Sequence, residues 1–327
     1  MANTVAKRKK LGYDSISREP AKAPGKQTLL AGLKGTQTSC RVQSLRNSRG
    51  GIQRMEYKVI VLDLDGTLTN RDKVITPKTK EALMKAQAMG KIVVLASGRP
   101  TMGVMPLAEE LELKRYGGYI LSFNGGMIVN CKTGKVVFES QLPPEINSKI
   151  IDQSVEHGVD IITYEGDKII ASDARYQYID LESRVNHMDV IEIKDRSKMK
   201  EYLTFQVPKF ILTDDGDYLA MVEPKVKAAM GKNYSVYRSD PYYLEILPKG
   251  IDKAKSLERF LEVTGYRQEE LIACGDGYND LSMIKFAGLG VAMENAVLPV
   301  RQAADYITLS NNEDGVAHVV EKFMITM

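Results

Sequence analysis

The stretch Val59–Asn70 reads VIVLDLDGTLTN and places Asp63 and Asp65 two residues apart at the end of an apolar run. Two further apolar runs end in polar, glycine-bearing turns. KIVVLA leads into Ser97-Gly98-Arg99-Pro100, and LIAC leads into Gly275-Asp276-Gly277-Tyr278-Asn279-Asp280. In open parallel sheets, ligands bind outside the carboxyl ends of the strands. Three such ends here carry acids, a hydroxyl and glycine turns. Glycines let backbone N–H groups approach an anion, and the helix N-termini that follow favour negative charge. Several carboxylates beside a phosphate-binding loop call for a hard divalent cation. Magnesium is held by one or two carboxylates plus phosphate oxygens, with water completing its shell. Lys253, early in its helix, can add positive charge.

Taken singly, each piece has a plainer reading. Asp-Gly marks ordinary turns, Ser97 can cap a helix, and a lysine on a helix is usually a solvated charge. Cys274 is most simply a small buried strand residue. An EF-hand calcium loop is excluded at DLDG, because glycine stands fourth where that loop needs it sixth. The reading as a site rests on all four pieces falling in order at strand ends.

The elements that would position these residues alternate strand and helix from Met55 onward. Tyr57–Leu62 reads as a strand. Thr76–Met89 reads as a helix with Thr76 as N-cap, Pro77 at its first position and Gly90 closing it. Lys91–Ala96 is a second strand, Thr101–Leu111 a helix, Tyr119–Ser122 a third strand, and Asn124-Gly125-Gly126 a turn. Short apolar strands between helices argue a parallel sheet covered on both faces. From about Glu139 to Leu247 the segments are more polar. Strands come in adjacent pairs, such as Asp160–Tyr164 with Lys168–Ala171, and Asp214-Asp215-Gly216-Asp217 reads as a turn. This middle part is expected to be an α+β unit with antiparallel strands. The first pattern then returns with Asp252–Val263 (helix), Glu270–Cys274 (strand), Asp280–Phe286 (helix), Gly288–Val291 (strand) and Gly315–Phe323 (helix). The expected organisation is one α/β domain, 55–138 with 248–327, carrying an inserted domain at 139–247.

Composition narrows the function. The 327 residues suffice for two domains, and no apolar run reaches the roughly 18 residues of a membrane span. The three cysteines, Cys40, Cys131 and Cys274, are scattered and form no CxxC pair, which fits a reducing cytoplasm. His157, His187 and His318 lack metal-ligand spacing, so acid–base chemistry falls to carboxylates. The net charge of +3 hides a split. Residues 1–54 hold 12 Lys/Arg and 2 Asp/Glu, and the remainder holds 33 and 40. The acidic body does not favour nucleic-acid backbone as a partner. The basic first 54 residues show no sustained apolar period and read as disordered. They could be a basic arm for nucleic acid or membrane, an organelle presequence, or a leader outside the fold preceding Met55.

With these residues in order, the chain resembles the haloacid dehalogenase-like (HAD) phosphatases. Asp63-Leu64-Asp65-Gly66-Thr67 looks like their DxDGT signature. Ser97 matches the hydroxyl motif, Lys253 in PKGIDKAKSL the lysine motif, and GDGYNDLSM (Gly275–Met283) the acidic motif. The position of the insertion resembles the type IIB cap of the Cof-type sugar-phosphate phosphatases. The resemblance covers about Met55 to Phe323. It implies a Rossmann-like α/β core with an inserted α+β cap, and magnesium-dependent hydrolysis of small phosphate esters. It implies Asp63 as nucleophile and Asp65 as general acid and base. Magnesium would be held by the Asp63 side chain, the Asp65 backbone carbonyl and Asp276, with Asp280 supporting the site. Ser97, the Gly98 and Leu64 amides, Lys253 and Asn279 would hold the phosphoryl oxygens. Polar tips of the cap, Arg238-Ser239-Asp240 with Tyr242 and Tyr243, are candidates for contacts to the substrate.

Three other functions share parts of this pattern. A sugar phosphomutase would use the same motifs to move phosphate within a sugar. A P-type ATPase-like domain carries Thr where this chain has Asp65, and has membrane helices. A sugar-phosphate sensor has no need of an acid at position 65. The sequence leaves the substrate and the oligomeric state open.

Overall fold

A computed structural model describes residues 56–325, together with the backbone of a short antiparallel pair, Leu45–Arg46 with Ile52–Gln53. The expected disordered leader at 1–54 therefore falls otherwise outside the described residues.

The first sheet is built from β1 (Val59–Leu62), β2 (Ile92–Ala96), β3 (Tyr119–Ser122), β4 (Met127–Asn130) and β5 (Lys135–Glu139). Between these strands run α1 (Pro77–Ala88), α2 (Thr101–Glu110) and the short α3 (Leu113–Tyr116). As expected, Thr76 caps α1: its hydroxyl oxygen accepts the Thr79 amide at 3.2 Å, and Pro77 takes the first position, where no N–H is needed. The second sheet comes from the middle of the chain. It contains α4 (Pro144–Glu156), β6 (Asp160–Glu165), β7 (Lys168–Ala171), α5 (Gln177–Asn186), β8 (Asp189–Glu192), α6 (Arg196–Tyr202), β9 (Phe210–Thr213), α7 (Gly216–Met230), β10 (Tyr234–Asp240) and β11 (Tyr243–Pro248). The chain then returns with α8 (Lys253–Thr264), β12 (Leu271–Gly275), α9 (Leu281–Phe286), β13 (Leu289–Ala292), α10 (Leu298–Ala303), β14 (Tyr306–Ile307) and α11 (Gly315–Val320).

The first sheet has eight strands in the order β14-β13-β12-β1-β2-β3-β4-β5. Six run parallel, and β4 and β5 form an antiparallel edge. The hairpin β4–β5 was not anticipated. Its strands are half exposed and flank Thr133-Gly134, so they lack the continuous apolar run that marks the buried strands. All four residues of β1 are fully buried, as both faces of a parallel sheet require. Among the described residues no helix is long and apolar enough to cross a membrane.

The second sheet has six strands in the order β8-β7-β6-β9-β11-β10. It departs from the expectation in two places. The pair β7–β8 is parallel, because α5 supplies the crossover that a parallel pair needs. Asp214-Asp215-Gly216-Asp217 is not a free turn but the start of α7. Asp215 is its N-cap, accepting the Asp217 amide at 3.0 Å, since the residues that favour turns also favour helix starts. Phe210, Leu212, Leu244 and Ile246 pack with the helices on one face of this sheet. Tyr164, Ile211 and Tyr243 on the other face join Phe123 from the first sheet's β3–β4 turn.

Candidate active site

Strands β12, β1 and β2 lie side by side with Cys274, Leu62 and Leu95 in register. Asp63, Ser97 and Asp276 therefore leave the sheet at the carboxyl ends of adjacent central strands. Strand order runs outward from β1 in both directions, so these ends form the switch point where open α/β sheets take ligands. Gly66 has φ +87°, and a Cβ there would lie 2.3 Å from Asp276 Oδ2, so the DLDG turn admits only glycine beside that carboxylate. Thr67 donates to Asp276 Oδ1 at 2.8 Å and ties the two loops together.

Lys253, the first residue of α8, is 1% exposed, unlike the solvated lysine of the plainer reading. Its ammonium donates to Asp63 Oδ1 at 2.6 Å and to Asp280 Oδ1 at 2.5 Å. Asp280 Oδ2 accepts the amides of Asp276 at 3.0 Å and Gly277 at 2.9 Å. Both oxygens of Asp280 thus hold Lys253 and the acidic loop in place. Burial and the charge of Asp280 push the Asp63 carboxyl up, against the pull of Lys253. Burial, offset in part by the Thr67 hydroxyl, pushes Asp276 up to about 6, with the charge of Asp280 adding to the rise. Asp63, Asp276 and Asp280 offer oxygens within 4.8 Å of one another. Three crowded carboxylates facing one ammonium are a donor set suited to a hard cation.

Asp65 faces the same space in a different environment. Burial raises its pKa, but Arg99 and Lys73 outweigh burial and hold the carboxyl below its usual range. Arg99 donates from Nε to Oδ2 at 2.8 Å and from Nη2 to Oδ1 at 2.7 Å, and Lys73 reaches Oδ1 at 2.7 Å. Neither Arg99 nor Lys73 was given a role from the sequence. The signal for Arg99 was present, two residues beyond Ser97 in the same turn. Lys73 sits on an exposed loop and is indistinguishable from a solvated charge. Ser97 is buried, and its Oγ accepts the Arg99 amide at 3.1 Å. Among the described residues no hydrogen bond uses the amides of Leu64 or Gly98.

Asn279 is exposed and donates to Asn124 Oδ1 at 3.3 Å, and Asn124 donates to the Tyr237 hydroxyl at 3.0 Å. This chain of contacts links the acidic loop to the second sheet. Between the sheets lies a cavity of about 1500 Å³ lined by Asp63, Asp65, Ser97, Gly98, Lys253, Asp276, Asn279 and Asp280 from one side. Arg238, Tyr242 and Tyr243 line it from the other. The polar ends of two of these three are already engaged. Arg238 is paired with Glu223 at 3.0 Å, and the Tyr243 hydroxyl donates to the Tyr178 carbonyl at 2.6 Å. Tyr242 stacks on Tyr178 at 4.4 Å between ring centres. The sequence reading missed Lys209 and Glu245, which also line the cavity and pair at 2.9 Å. Each is a lone charge in an apolar strand segment, KFILT and YYLEIL, and that pattern was legible.

A family model of haloacid dehalogenase-like hydrolases matches residues 60–320. YxeH of Bacillus subtilis, named as a candidate phosphatase, is 32% identical over 270 residues, covering 82% of this chain and 99% of that protein. Among solved structures, a haloacid dehalogenase-like hydrolase from Bacteroides thetaiotaomicron is similar with a TM-score of 0.78 and 46% identity, over 82% of this chain and 99% of the other. The HAD subclass IIB sugar phosphatase BT4131 is similar with a TM-score of 0.68 and 25% identity, over 81% of this chain and 98% of its own.

Proposed function

The chain belongs to the haloacid dehalogenase-like hydrolases and is a phosphatase of that family, and we propose that it hydrolyses small phosphate monoesters, sugar phosphates foremost, through a phosphate carried on Asp63. The observation that carries the reading is the placement of Asp63. It stands at the tip of the central strand, 2.6 Å from a buried ammonium, with Asp65 and Asp276 opening on the same cavity. The subclass IIB sugar phosphatase among the similar structures supports the substrate class.

In this reading an Asp63 oxygen attacks phosphorus, and the ester oxygen leaves with a proton from Asp65. Asp65 then takes a proton from water, which attacks the phosphorus of the aspartyl-phosphate. Inorganic phosphate leaves and the Asp63 carboxylate is restored. Lys253, the Ser97 hydroxyl, Asn279 and the free amides of Leu64 and Gly98 hold the phosphoryl oxygens, which is positioning with charge stabilisation. Without substrate, Asp65 is held ionised by Arg99 and Lys73. An arriving phosphate competes for both cations, and their release leaves Asp65 free to carry a proton. Asp63, Asp276 and the Asp65 backbone carbonyl would hold magnesium, with Asp280 behind them. When bound, that ion offsets the repulsion between the carboxylate nucleophile and the phosphate anion. The segment 140–248, which carries the second sheet and differs by one residue at each end from the expected 139–247, serves as the cap that covers the cleft and meets the leaving group.

The test is phosphate release from p-nitrophenyl phosphate and a panel of sugar phosphates, with magnesium and with EDTA. Turnover that EDTA abolishes and magnesium restores is expected, together with its loss in Asp63→Asn. Asp63→Asn retaining more than about a hundredth of the rate would move the nucleophile elsewhere. Turnover indifferent to EDTA would remove magnesium from the account.

A further inference from the structure

We propose that Asn124 is a positioning residue: bonded to Tyr237 of the closed cap, it orients the Asn279 amide and so completes the phosphate site only under that cap. The inference rests on the phosphatase reading and adds a residue to that same site.

Asn124-Gly125 joins β3 to β4, and its backbone does more than a turn requires. Phe123, Asn124 and Gly125 have φ of +53°, +55° and +95° in succession. Asparagine and glycine enter this left-handed region easily, whereas phenylalanine enters it under strain. Contacts on several sides hold it there. The Phe123 amide donates to the Arg99 carbonyl at 3.0 Å and the Asn124 amide to the Ser97 carbonyl at 2.9 Å, which seats the turn on the proposed phosphate loop. The Phe123 ring packs on Tyr164 of β6, with ring centres 5.5 Å apart. A Cβ on Gly125 would lie 2.5 Å from Ser256 Cβ, so the turn is pressed against α8 as well. Strain of this kind persists where the surroundings over-determine it, and it collects at functional sites.

The strained turn buries the Asn124 side chain between three elements. An asparagine that serves only its own turn bonds its own backbone. Asn124 is 5% exposed, and both ends of its amide are spent elsewhere. Its Oδ1 accepts Asn279 Nδ2 of the acidic loop at 3.3 Å, and its Nδ2 donates to the Tyr237 hydroxyl of β10 at 3.0 Å. The same amide lies against Gly98, where a Cβ would stand 3.1 Å from Asn124 Oδ1. Asn124 therefore touches two of the proposed phosphate-binding residues, Gly98 and Asn279, which come from separate loops. Asn279 is exposed, and its bond to Asn124 leaves the second N–H of its amide for a phosphoryl oxygen.

When the cap opens, Tyr237 leaves with it. Asn124 Nδ2 then turns to water, and Oδ1 is no longer held toward Asn279. Closure and phosphate binding are thereby coupled through one side chain, with no contact to the leaving group.

The experiment measures kcat and KM on p-nitrophenyl phosphate and a sugar phosphate, and inhibition by inorganic phosphate. It uses the full-length wild type, Asn124→Gly, Tyr237→Phe, Asn279→Ala and their pairwise combinations. Glycine adopts φ +55° freely, so Asn124→Gly removes the side chain and keeps the turn. Tyr237→Phe deletes one oxygen on the other sheet and keeps the test alive if the turn variant unfolds. Each of these two should lose about three- to tenfold in kcat/KM and in phosphate affinity, the scale of one hydrogen bond. Both losses should vanish in the Asn279→Ala background, and Tyr237→Phe should cost nothing further once Asn124 is glycine. A merely structural role predicts losses that add. Wild-type constants in either single variant, or losses that add to that of Asn279→Ala, would overturn the inference and leave the phosphatase reading standing. A wild type inactive on every ester would remove both.

Discussion

Arg99 grips Asp65 through two parallel bonds, Nε to Oδ2 at 2.8 Å and Nη2 to Oδ1 at 2.7 Å, and Lys73 adds a third contact at 2.7 Å. The two aspartates of DLDG thus stand in opposite environments two residues apart. Asp63 is buried with other carboxylates around a single ammonium, and Asp65 is held ionised by two cations. Such a division lets neighbouring carboxyl groups take different roles.

If Asp65 supplies and removes the proton, Asp65→Asn should cripple turnover unequally. A sugar alkoxide needs a proton to leave, whereas p-nitrophenolate needs much less help. The variant-to-wild-type rate ratio should be higher for p-nitrophenyl phosphate than for a sugar phosphate. Equal losses on the two substrates would count against the acid role.

Arg99→Lys keeps the charge but replaces a planar fork by a point charge. It should lower kcat/KM for a sugar phosphate by about tenfold or more, the scale of losing one charge-assisted bond. In the substrate complex Arg99 bonds the phosphate that both substrates share, so the loss should be similar on p-nitrophenyl phosphate, unlike that of Asp65→Asn. A variant with wild-type constants on both would show that the phosphate does not draw Arg99 from Asp65.

Away from the site, Glu270 ties the entry of β1 to the entry of β12. It accepts from Lys58 at 2.8 Å and from the Arg267 amide at 2.9 Å. Burial pushes its carboxyl up, but these donors outweigh burial and bring it down to about 2. Its folded-state pKa is depressed, so its contribution is fully present above the unfolded value of about 4.3 and is lost as pH falls towards 2. Lys58 is 45% exposed and its share is screened, which leaves about 1–2 kcal/mol at neutral pH. Glu270→Gln should therefore lower Tm at pH 7, and the gap from wild type should close as pH falls below about 4. A gap that stays constant with pH would assign the effect to packing.

The parallel sheet and its strand-end motifs were legible because each buried strand is a short apolar run that stops at a polar turn. Val59–Leu62, Ile92–Ala96 and Leu271–Gly275 all follow that rule. The second sheet was legible only in outline. Its strands, such as Lys168–Ala171 and Phe210–Thr213, are also apolar runs but are set in more polar sequence, and Asp215-Gly216 carries the same composition whether it turns the chain or caps α7. What the sequence hid at the site was pairing. Nothing local says that Lys253 is buried between Asp63 and Asp280, 190 and 27 residues away, or that Arg99 reaches back to Asp65. Lys209 and Glu245 were hidden less deeply, as isolated charges, one just before and one within a strand otherwise apolar.

In the proposed mechanism phosphate passes through Asp63 before it reaches water. The stereochemical course at phosphorus decides whether it does. A phosphate ester made chiral with three oxygen isotopes is turned over in the presence of an acceptor alcohol, because transfer to water gives inorganic phosphate that three isotopes cannot keep chiral, and the configuration of the product ester is read. Each in-line displacement inverts phosphorus. Attack by Asp63 followed by transfer to the acceptor predicts two inversions and net retention. Net inversion would mean a single direct displacement, with Asp63 demoted from nucleophile to ligand.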